Sequence, residues 1–494
     1  MGDVERGRKK VITLVDVLAV SSTNAAPQGA SAASAVGFAG IAIDSRAVVA
    51  DDLFVALPGE RVDGHQFVAA ALDGGARGAL VRRAWLHEHA GEFQAHAQLL
   101  DAEEQRAVSD DERPVVVAVA DPLATLQQLA QQHRRRMPAQ VIGITGSVGK
   151  TSTKEAVAAV LRQRLRTLYS GKSFNNEIGV PLTLLRMDGT HEVAVVEMGT
   201  YGPGEIALLC EWARPNIGIV TNVGVSHLER MGSSDVVAVA KRELVESLSD
   251  DGVAILNNDD HRVRAMAEHT RARAFFYGTT PDAELWADNV ERRGLRGIAF
   301  DVHYHGDTYR LETPLLGKHV VYIALPAIAA GLTLGLSWNE IAAGLQDAAM
   351  QSRIGVVPGV NGATILDDTY NASPASCQAA LDLLVDVPGE HVAVFGEMAE
   401  LGPIEEEGHR AVGRAAAAQV DQLVVVGRKA RWIAEAAQEA NPALPIICCD
   451  TNDDAVAALR SLLRHDTIML VKGARVARTE TIVHALRAGG EQPL

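Results

Sequence analysis

Short runs of Val, Ile and Leu recur along most of the chain, and between them apolar residues return every three or four positions. In residues 37–81, "GIAIDSRAV", "DLFVAL" and "FVAAALDGGARGALV" read as short strands and a helix. "VVVAVA" at 115–120 predicts a buried strand, with a helix in "PLATLQQLAQQHRRRM" after it. Strands and helices then alternate through "VIGIT", "KTSTKEAVAAVLRQRL", "VAVVEM", "GEIALLCEWA", "IGIVTNV", "SDVVAVAKRELVESL" and "VAILN". In the first of these helices Ala156, Val157, Val160, Leu161 and Leu165 gather on one side. Near-continuous Val/Ile strands separated by helices predict a parallel sheet covered on both faces. Residues 272–316 read as antiparallel strands. From Ser352 a second open sheet follows in "ATILDD", "SCQAALDLL", "HVAVFG", a helix from His409, "QLVVVG", "PIICC", "TIMLVK" and a final helix, Rossmann-like in outline.

The pattern predicts three α/β domains: a small α/β domain at 1–122, a central parallel-sheet domain at 123–350 and a Rossmann-like domain at 351–494. Residues 86–114 are rich in His, Gln, Glu and Asp, and predict an excursion on the surface of the first domain. Residues 320–339 carry no formal charge, a length that could span a bilayer. Pro326, Gly331, Thr333, Gly335, Asn339 and many alanines predict a helix buried in protein instead. Near the start, Asp16 interrupts the apolar run of "GRKKVITLVDVLAVSS", which reads as a strand leading into a helix rather than a leader.

Composition narrows the possible functions. The 494 residues are 47% hydrophobic but only 4% aromatic, so the cores should be aliphatic. A formal charge of -16 argues against nucleic acid or a membrane surface as partner. An anionic substrate would need basic side chains concentrated at its site. Cys210, Cys377, Cys448 and Cys449 have no metal-ligand spacing and suggest no disulfide framework, which fits a reducing, cytoplasmic compartment. A soluble monomer is expected.

The sharpest chemical signal is "VIGITGSVGKTSTKEA" at 141–156. The usual phosphate-loop pattern, G-x-x-x-x-G-K-[ST], asks for glycine where Ile144 stands. The physics is nonetheless favourable. A strand ends at Thr145, and Gly146 and Gly149 let successive N–H groups converge on one anion. The next helix adds its positive end, Lys150 a full charge, and Thr151 a hydroxyl for magnesium. The stretch predicts nucleotide binding.

The shorter loop resembles that of the Mur ligase superfamily, which commonly reads T-G-[ST]-x-G-K-T-[ST]. "SFNNEIGVPLTLL", "VEMGTYGPGEI", "TNVGVSHLERMGS", "AKRELVESL", "LNNDD", "LDDTYNASPAS", "FGEMAELG" and "LVKGARVAR" continue the resemblance in order. They point to the branch that joins D-alanyl-D-alanine to UDP-N-acetylmuramoyl tripeptide. "IDSRAVVADDLFVALPGERVDGHQFVAAALDGGARGALV" resembles the nucleotide-sugar-binding domain that this branch shares with its sister. The likeness covers roughly residues 36–485. It implies an ATP-dependent ligase that phosphorylates a peptide carboxylate and then lets an amine displace the phosphate, with catalysis chiefly by positioning and charge neutralisation.

The resemblance also implies roles. Gly146, Ser147, Val148, Gly149, Lys150, Thr151 and Ser152 would cradle the ATP phosphates. Thr151 and Glu197 would hold magnesium. His227 would sit by a second magnesium, and Lys241 would be carbamylated to serve it. Asn175, Asn176 and Glu177 would meet the peptide substrate. Arg353, Asp368, Tyr370 and Asn371 would meet the nucleotide and reaction centre. Lys472, Gly473 and Arg475, in a basic loop after the last strand, would contact the dipeptide or shape the cleft, as would Glu397, Glu400 and His409. Ser45, Arg46, Asp63, Gly64 and His65 would bind the uridine diphosphate. One departure stands out. The family often reads G-x-H-N-x-x-N where this chain has "GKHVVYI", so Val320 and Ile323 replace both amides. Adenine must then be read by backbone groups, Asn257 or Asn258.

Two other readings compete. A sister ligase that adds the third stem residue usually carries a D-N-P-R-like stretch, which this chain lacks. A regulatory or motor ATPase would explain the loop but not the domain in front of it.

Overall fold

The computed structural model describes residues 10–21, 35–59, 62–104, 113–171, 174–224, 231–347 and 354–489. Two compact units emerge. One comprises residues 1–143, 166–198 and 207–215; the other comprises 144–165, 199–206 and 216–494.

The first unit opens with β1 (Ile12–Thr13) and α1 (Leu14–Ser21), the strand-to-helix entry read from the sequence; β1 pairs with β2 (Gly37–Phe38). Its main sheet is wholly parallel, in the order β3-β4-β5-β7-β6. The strands are β3 (Gly40–Ala42), β4 (Asp52–Val55), β5 (Gly78–Arg82), β6 (Gln98–Asp101) and β7 (Val115–Val119). Helices α2 (Val68–Asp73) and α3 (Arg83–Phe93) bury Val68, Ala71, Leu86 and Phe93 against Phe54, Val81 and Val116. Residues 86–104 are therefore no surface excursion. They supply α3 and the edge strand β6, with few apolar side chains because only one face of each is covered. Helix α4 (Pro122–Arg136) starts at an Asp121 cap with Pro122 in its first turn, where proline's missing N–H costs nothing.

Strand β8 (Gln140–Thr145) leads out of this unit into α5 (Lys150–Leu161), which belongs to the second. The first unit resumes with β9 (Thr167–Tyr169), α6 (Gly179–Leu184) and β10 (Val193–Glu197), and β9 and β10 pair in parallel. After α7 (Glu205–Ala213) come β11 (Ile217–Val220), α8 (Ser234–Glu246), β12 (Val253–Asn257) and α9 (His261–Ala265). Strands β13 (Arg273–Gly278), β14 (Leu285–Arg292), β15 (Ile298–Tyr304) and β16 (Asp307–Thr313) follow. Consecutive strands from β11 to β14 are parallel, and only β14, β15 and β16 pair antiparallel. The antiparallel reading of 272–316 thus holds from β14 onward and fails at β13.

Helix α5 is buried almost all round, Lys154, Ala158 and Ala159 included, rather than on one side. Helices α10 (Val321–Thr333) and α11 (Trp338–Leu345) pack against it. A side chain at Gly344 would stand 2.4 Å from the Val160 Cα, so glycine sets that approach. The charge-free stretch is α10, a turn at Gly335 (φ +75°) and the start of α11 at its Ser337 capping box. No helix among the described residues is long and apolar enough to cross a membrane.

The last sheet runs β17-β18-β22-β19-β20-β21. Its strands are β17 (Gly355–Pro358), β18 (Thr364–Asp368), β19 (Glu390–Phe395), β20 (Gln422–Val426), β21 (Ile446–Cys449) and β22 (Thr467–Lys472). All pairs are parallel except β17 with β18. Helices α12 (Pro374–Leu384), α13 (Glu405–Ala417), α14 (Arg431–Ala440), α15 (Asn452–Leu462) and α16 (Glu480–Leu486) complete the fold, which buries an aliphatic cluster on each face of the sheet. Helix α13 begins at Glu405, four residues before His409.

Candidate active site

The glycine loop between β8 and α5 is held from one side by the segment after β11. Gly146 has φ +151°, and a Cβ there would stand 1.8 Å from the Thr221 hydroxyl, so this position admits only glycine. Gly149, at φ +87°, precedes the first residue of α5. The Thr221 N–H donates to Thr145 O at 3.0 Å and that of Ser147 to Asn222 O at 3.0 Å. The Asn222 side chain grips Val148 at both ends. Its Oδ1 accepts from Val148 N at 2.9 Å, and its Nδ2 donates to Val148 O at 2.9 Å. The Thr221 hydroxyl also donates to Val148 O, at 2.8 Å, and Gly224 N donates to Ser147 Oγ at 2.8 Å. A second rank holds the brace: Asn257 Nδ2 donates to Thr221 O at 2.9 Å, and Val223 N to Asp260 Oδ2 at 2.7 Å.

The first backbone bond into α5 is Thr153 N to Gly149 O, at 2.8 Å. N–H groups ahead of it lack helical acceptors and carry the helix's positive end. Lys150 Nζ folds back to donate to Gly146 O at 2.7 Å and Ser147 O at 3.4 Å. Strand, loop, helix end and lysine together form an anion site.

A cavity of about 330 Å³ extends from Val148, Gly149 and Thr153 of this loop to Asp259, His319, Tyr322 and Ile323. The Thr153 hydroxyl is fully buried and has no hydrogen-bond partner among the described residues. At the far end Tyr322 OH and Thr279 Oγ1 donate to Asp259 Oδ2, at 2.8 and 2.7 Å. Asn257 lines the cavity, but its amide is spent on Thr221 O and on Asp259 N. Asn258 Nδ2 donates to Asp282 at 2.8 Å. Both asparagines thus already serve protein partners.

Lys241 of α8 is 3% exposed. Burial, and then the charge of Lys150, push its amine well below the usual lysine range. Glu197 ends β10 at 1% exposure, and its Oε1 accepts from Asn175 Nδ2 at 2.9 Å. Asn176 Oδ1 accepts from Gly179 N at 3.0 Å, which makes its side chain a brace for the start of α6. The Glu177 carbonyl accepts from Gln127 Nε2 at 3.1 Å, and Glu177 itself is exposed. His227 and Arg353 lie outside the described residues.

Several expected contact residues turn out to serve the fold. Asp63 caps the turn at 64–67 and accepts from His65 Nδ1 at 2.6 Å, while His65 Nε2 accepts from Arg82 N at 3.0 Å. Both ring nitrogens of this buried histidine are committed, so it has none for a ligand. Gly64 is required because a Cβ would stand 2.7 Å from Leu57 O. Ser45 is partly buried and Arg46 exposed, and the guanidinium makes two bonds to Asp44, at 2.9 and 2.7 Å. Lys472 is no loop residue. It ends β22 opposite Asp368, 1% exposed, and its ammonium meets Asp368 Oδ2 at 2.5 Å and Asn371 O at 2.9 Å. The loop charge after β22 is Arg475, with Gly473 packed on Thr479. Tyr370 is half exposed. His409, fully buried, accepts from Met398 N at 3.0 Å and donates to Glu405 O at 2.7 Å, and so cannot reach a dipeptide. Glu397 Oε1 accepts from Lys429 N at 2.9 Å, and Glu400 sits at φ +61°.

Thr221, Asn222, Thr153, Asp259 and Tyr322 escaped the sequence reading. For Thr221, Asn222 and Asp259 the available signal was polar residues following a buried parallel strand, the sheet edge at which α/β folds place ligands; Thr153 and Tyr322 lie on helices and carried no such signal.

Three family models match in succession: the catalytic domain of the Mur ligase family at residues 37–134, the Mur ligase middle domain at 144–331 and the Mur ligase glutamate ligase domain at 352–475. The UDP-N-acetylmuramoyl-tripeptide–D-alanyl-D-alanine ligase of Bacillus subtilis is 33% identical over 451 residues, covering 90% of this chain and 93% of the relative. The Mycobacterium tuberculosis enzyme of the same name is 34% identical over 506 residues, covering 97% of each. Among solved structures, MurF from Acinetobacter baumannii superimposes with a TM-score of 0.78 at 28% identity, over 96% of this chain and 98% of that one. MurF from Thermotoga maritima in complex with ADP gives 0.73 at 25% identity, over 90% and 96%.

Proposed function

This chain belongs to the Mur ligase family, with its three-domain α/β fold, and from that premise we infer how its residues work. It is an ATP-dependent ligase that joins D-alanyl-D-alanine to UDP-N-acetylmuramoyl tripeptide in peptidoglycan precursor synthesis. The observation that carries the reading is the braced glycine loop with Lys150, opening into a nucleoside-sized cavity.

A free carboxylate is a poor electrophile. The γ-phosphoryl group of ATP therefore passes to a carboxylate oxygen of the tripeptide, and ADP leaves. The amine of D-alanyl-D-alanine attacks the acyl phosphate carbon, the C–O bond to phosphate breaks, and the amine loses a proton. Residues 1–122 hold the uridine diphosphate group, 123–350 the ATP, and 351–494 complete the site for the amine. Lys150 leaves its resting carbonyl partners to neutralise the transferring phosphoryl group. The base rests against Tyr322 and Ile323 at the far end of the cavity. A carboxylate at Glu197 and a hydroxyl at Thr151 are hard oxygen donors suited to magnesium, which when bound would offset phosphate charge. Lys241, buried and biased toward the neutral amine, is suited to add carbon dioxide, releasing one proton and leaving a carbamate.

ADP release, followed with the tripeptide substrate present and D-alanyl-D-alanine added or withheld, tests the assignment. Sustained turnover should require both. ADP release indifferent to either would sink it.

A further inference from the structure

Thr221 to Gly224 follow β11 and run alongside the phosphate loop, and the chemistry above gives them no part. Their bonds decide which loop groups can meet a phosphate. The N–H of Ser147 is spent on Asn222 O, and that of Val148 on Asn222 Oδ1. Val148 O accepts from both Thr221 Oγ1 and Asn222 Nδ2, so this carbonyl is turned to protein donors. Beyond Val148 come Gly149 and the first turn of α5, where a helix leaves its N–H groups without intrahelical acceptors.

We propose that Asn222 is a positioning residue: its side-chain amide, acting like a neighbouring strand, locks the loop in its phosphate-receiving shape before nucleotide arrives and confines the phosphates to the amides of Gly149 and the start of α5. The inference rests on the nucleotide reading above and revises it, since Ser147 and Val148 leave the set of phosphate ligands. Three arguments support it. A loop with two glycines at positive φ has many alternatives, and ordering it during binding would lower affinity. A side-chain amide offers a donor and an acceptor side by side, matching the N–H and C=O of one peptide residue, and asparagine holds it on a short stem. The brace is itself held, through Asn257 on Thr221 O and Asp260 on Val223 N, so Asn222 does not move with the loop.

Because the lock acts on the phosphate loop, its loss should depend on how many phosphates the ligand carries. Equilibrium titrations with AMP, ADP and a non-hydrolysable ATP analogue should show Asn222→Ala weakening the last two about tenfold and AMP less than about twofold. Equal weakening of all three, or none, overturns the proposal. Amide-resolved hydrogen exchange on the unmodified protein needs no variant to fold. Ser147 and Val148 should be protected without nucleotide, and Gly149, Thr151 and Ser152 should gain protection only when ADP is added. Ser147 and Val148 exchanging freely until ADP binds would also overturn it. Failure of the unmodified protein to bind ADP at all would instead count against the functional reading.

Discussion

Single atoms set the limits at several positions. At Gly146 a methyl group would stand 1.8 Å from Thr221 Oγ1, on a backbone conformation that side chains avoid. Gly146→Ala must displace Thr221 or the loop, and either breaks the brace. We expect ADP affinity to fall by at least about tenfold, read by titration, with the far-ultraviolet circular dichroism unchanged. Asp368 and Lys472 make a different case. Each is buried, and each is the other's counter-charge, although Asp368 Oδ1 has no partner among the described residues. Lys472→Met strands a carboxylate in the core and should cost about 3–5 kcal/mol in urea unfolding. Adding Asp368→Leu should recover part of that loss, because the stranded charge goes with it. A double variant as unstable as the single one would show that the lysine acts through packing rather than charge.

At the level of elements, helix α13 shows why a polar residue can mislead. His409 sits one turn inside it and accepts the Met398 N–H, and the ring N–H is committed to Glu405 O, so the neutral tautomer is fixed. Burial, the largest influence, holds its pKa below the usual histidine value. Between the depressed folded value and the ordinary one, the unfolded chain binds more protons, so acidification through that window destabilises the protein. His409→Leu should cost about 1–3 kcal/mol near neutral pH by leaving Met398 N–H without an acceptor. The gap to wild type should narrow as pH falls below about 6.5, because the variant has no imidazole to protonate. Urea midpoints at both ends of the window provide the measurement, and a constant gap would refute the assignment. The same ambiguity explains what the sequence left illegible. Runs such as "VVVAVA" and "VIGIT" announce buried strands, and the glycine loop announces its site. His65 and His409 look equally suited to ligand or core, because sequence does not say which way an imidazole faces. Helix α3 covers one face with Leu86 and Phe93 among polar neighbours, too sparse a signal to separate from loop. Strand β13 reads as a strand, yet its direction of pairing depends on a connection that no run of apolar residues encodes.

For the whole molecule, what matters most is that the two candidate nucleotide-handling regions are built within different compact units. The candidate uridine diphosphate residues Ser45, Arg46 and Asp63 stand on turns of the parallel sheet β3–β7, in one compact unit. The phosphate loop, its brace and its cavity are built in the other. The chain as a whole carries a charge of -16, so neither anionic ligand is drawn by net charge, and each must be held by cations and backbone dipoles placed at its own site. Removing a cation from one site should therefore leave the other nearly intact. The Lys150 ammonium rests on the carbonyls of Gly146 and Ser147, both within its own loop. Lys150→Ala should bind UDP-N-acetylmuramoyl tripeptide within about twofold of wild type by calorimetry. It should also fail to exchange isotope between the β–γ bridging and non-bridging oxygens of ATP in the presence of that tripeptide, the sign that no acyl phosphate forms. Retained exchange would remove Lys150 from the chemistry. Lost tripeptide binding would show that the two regions depend on each other in a way their separate construction does not suggest.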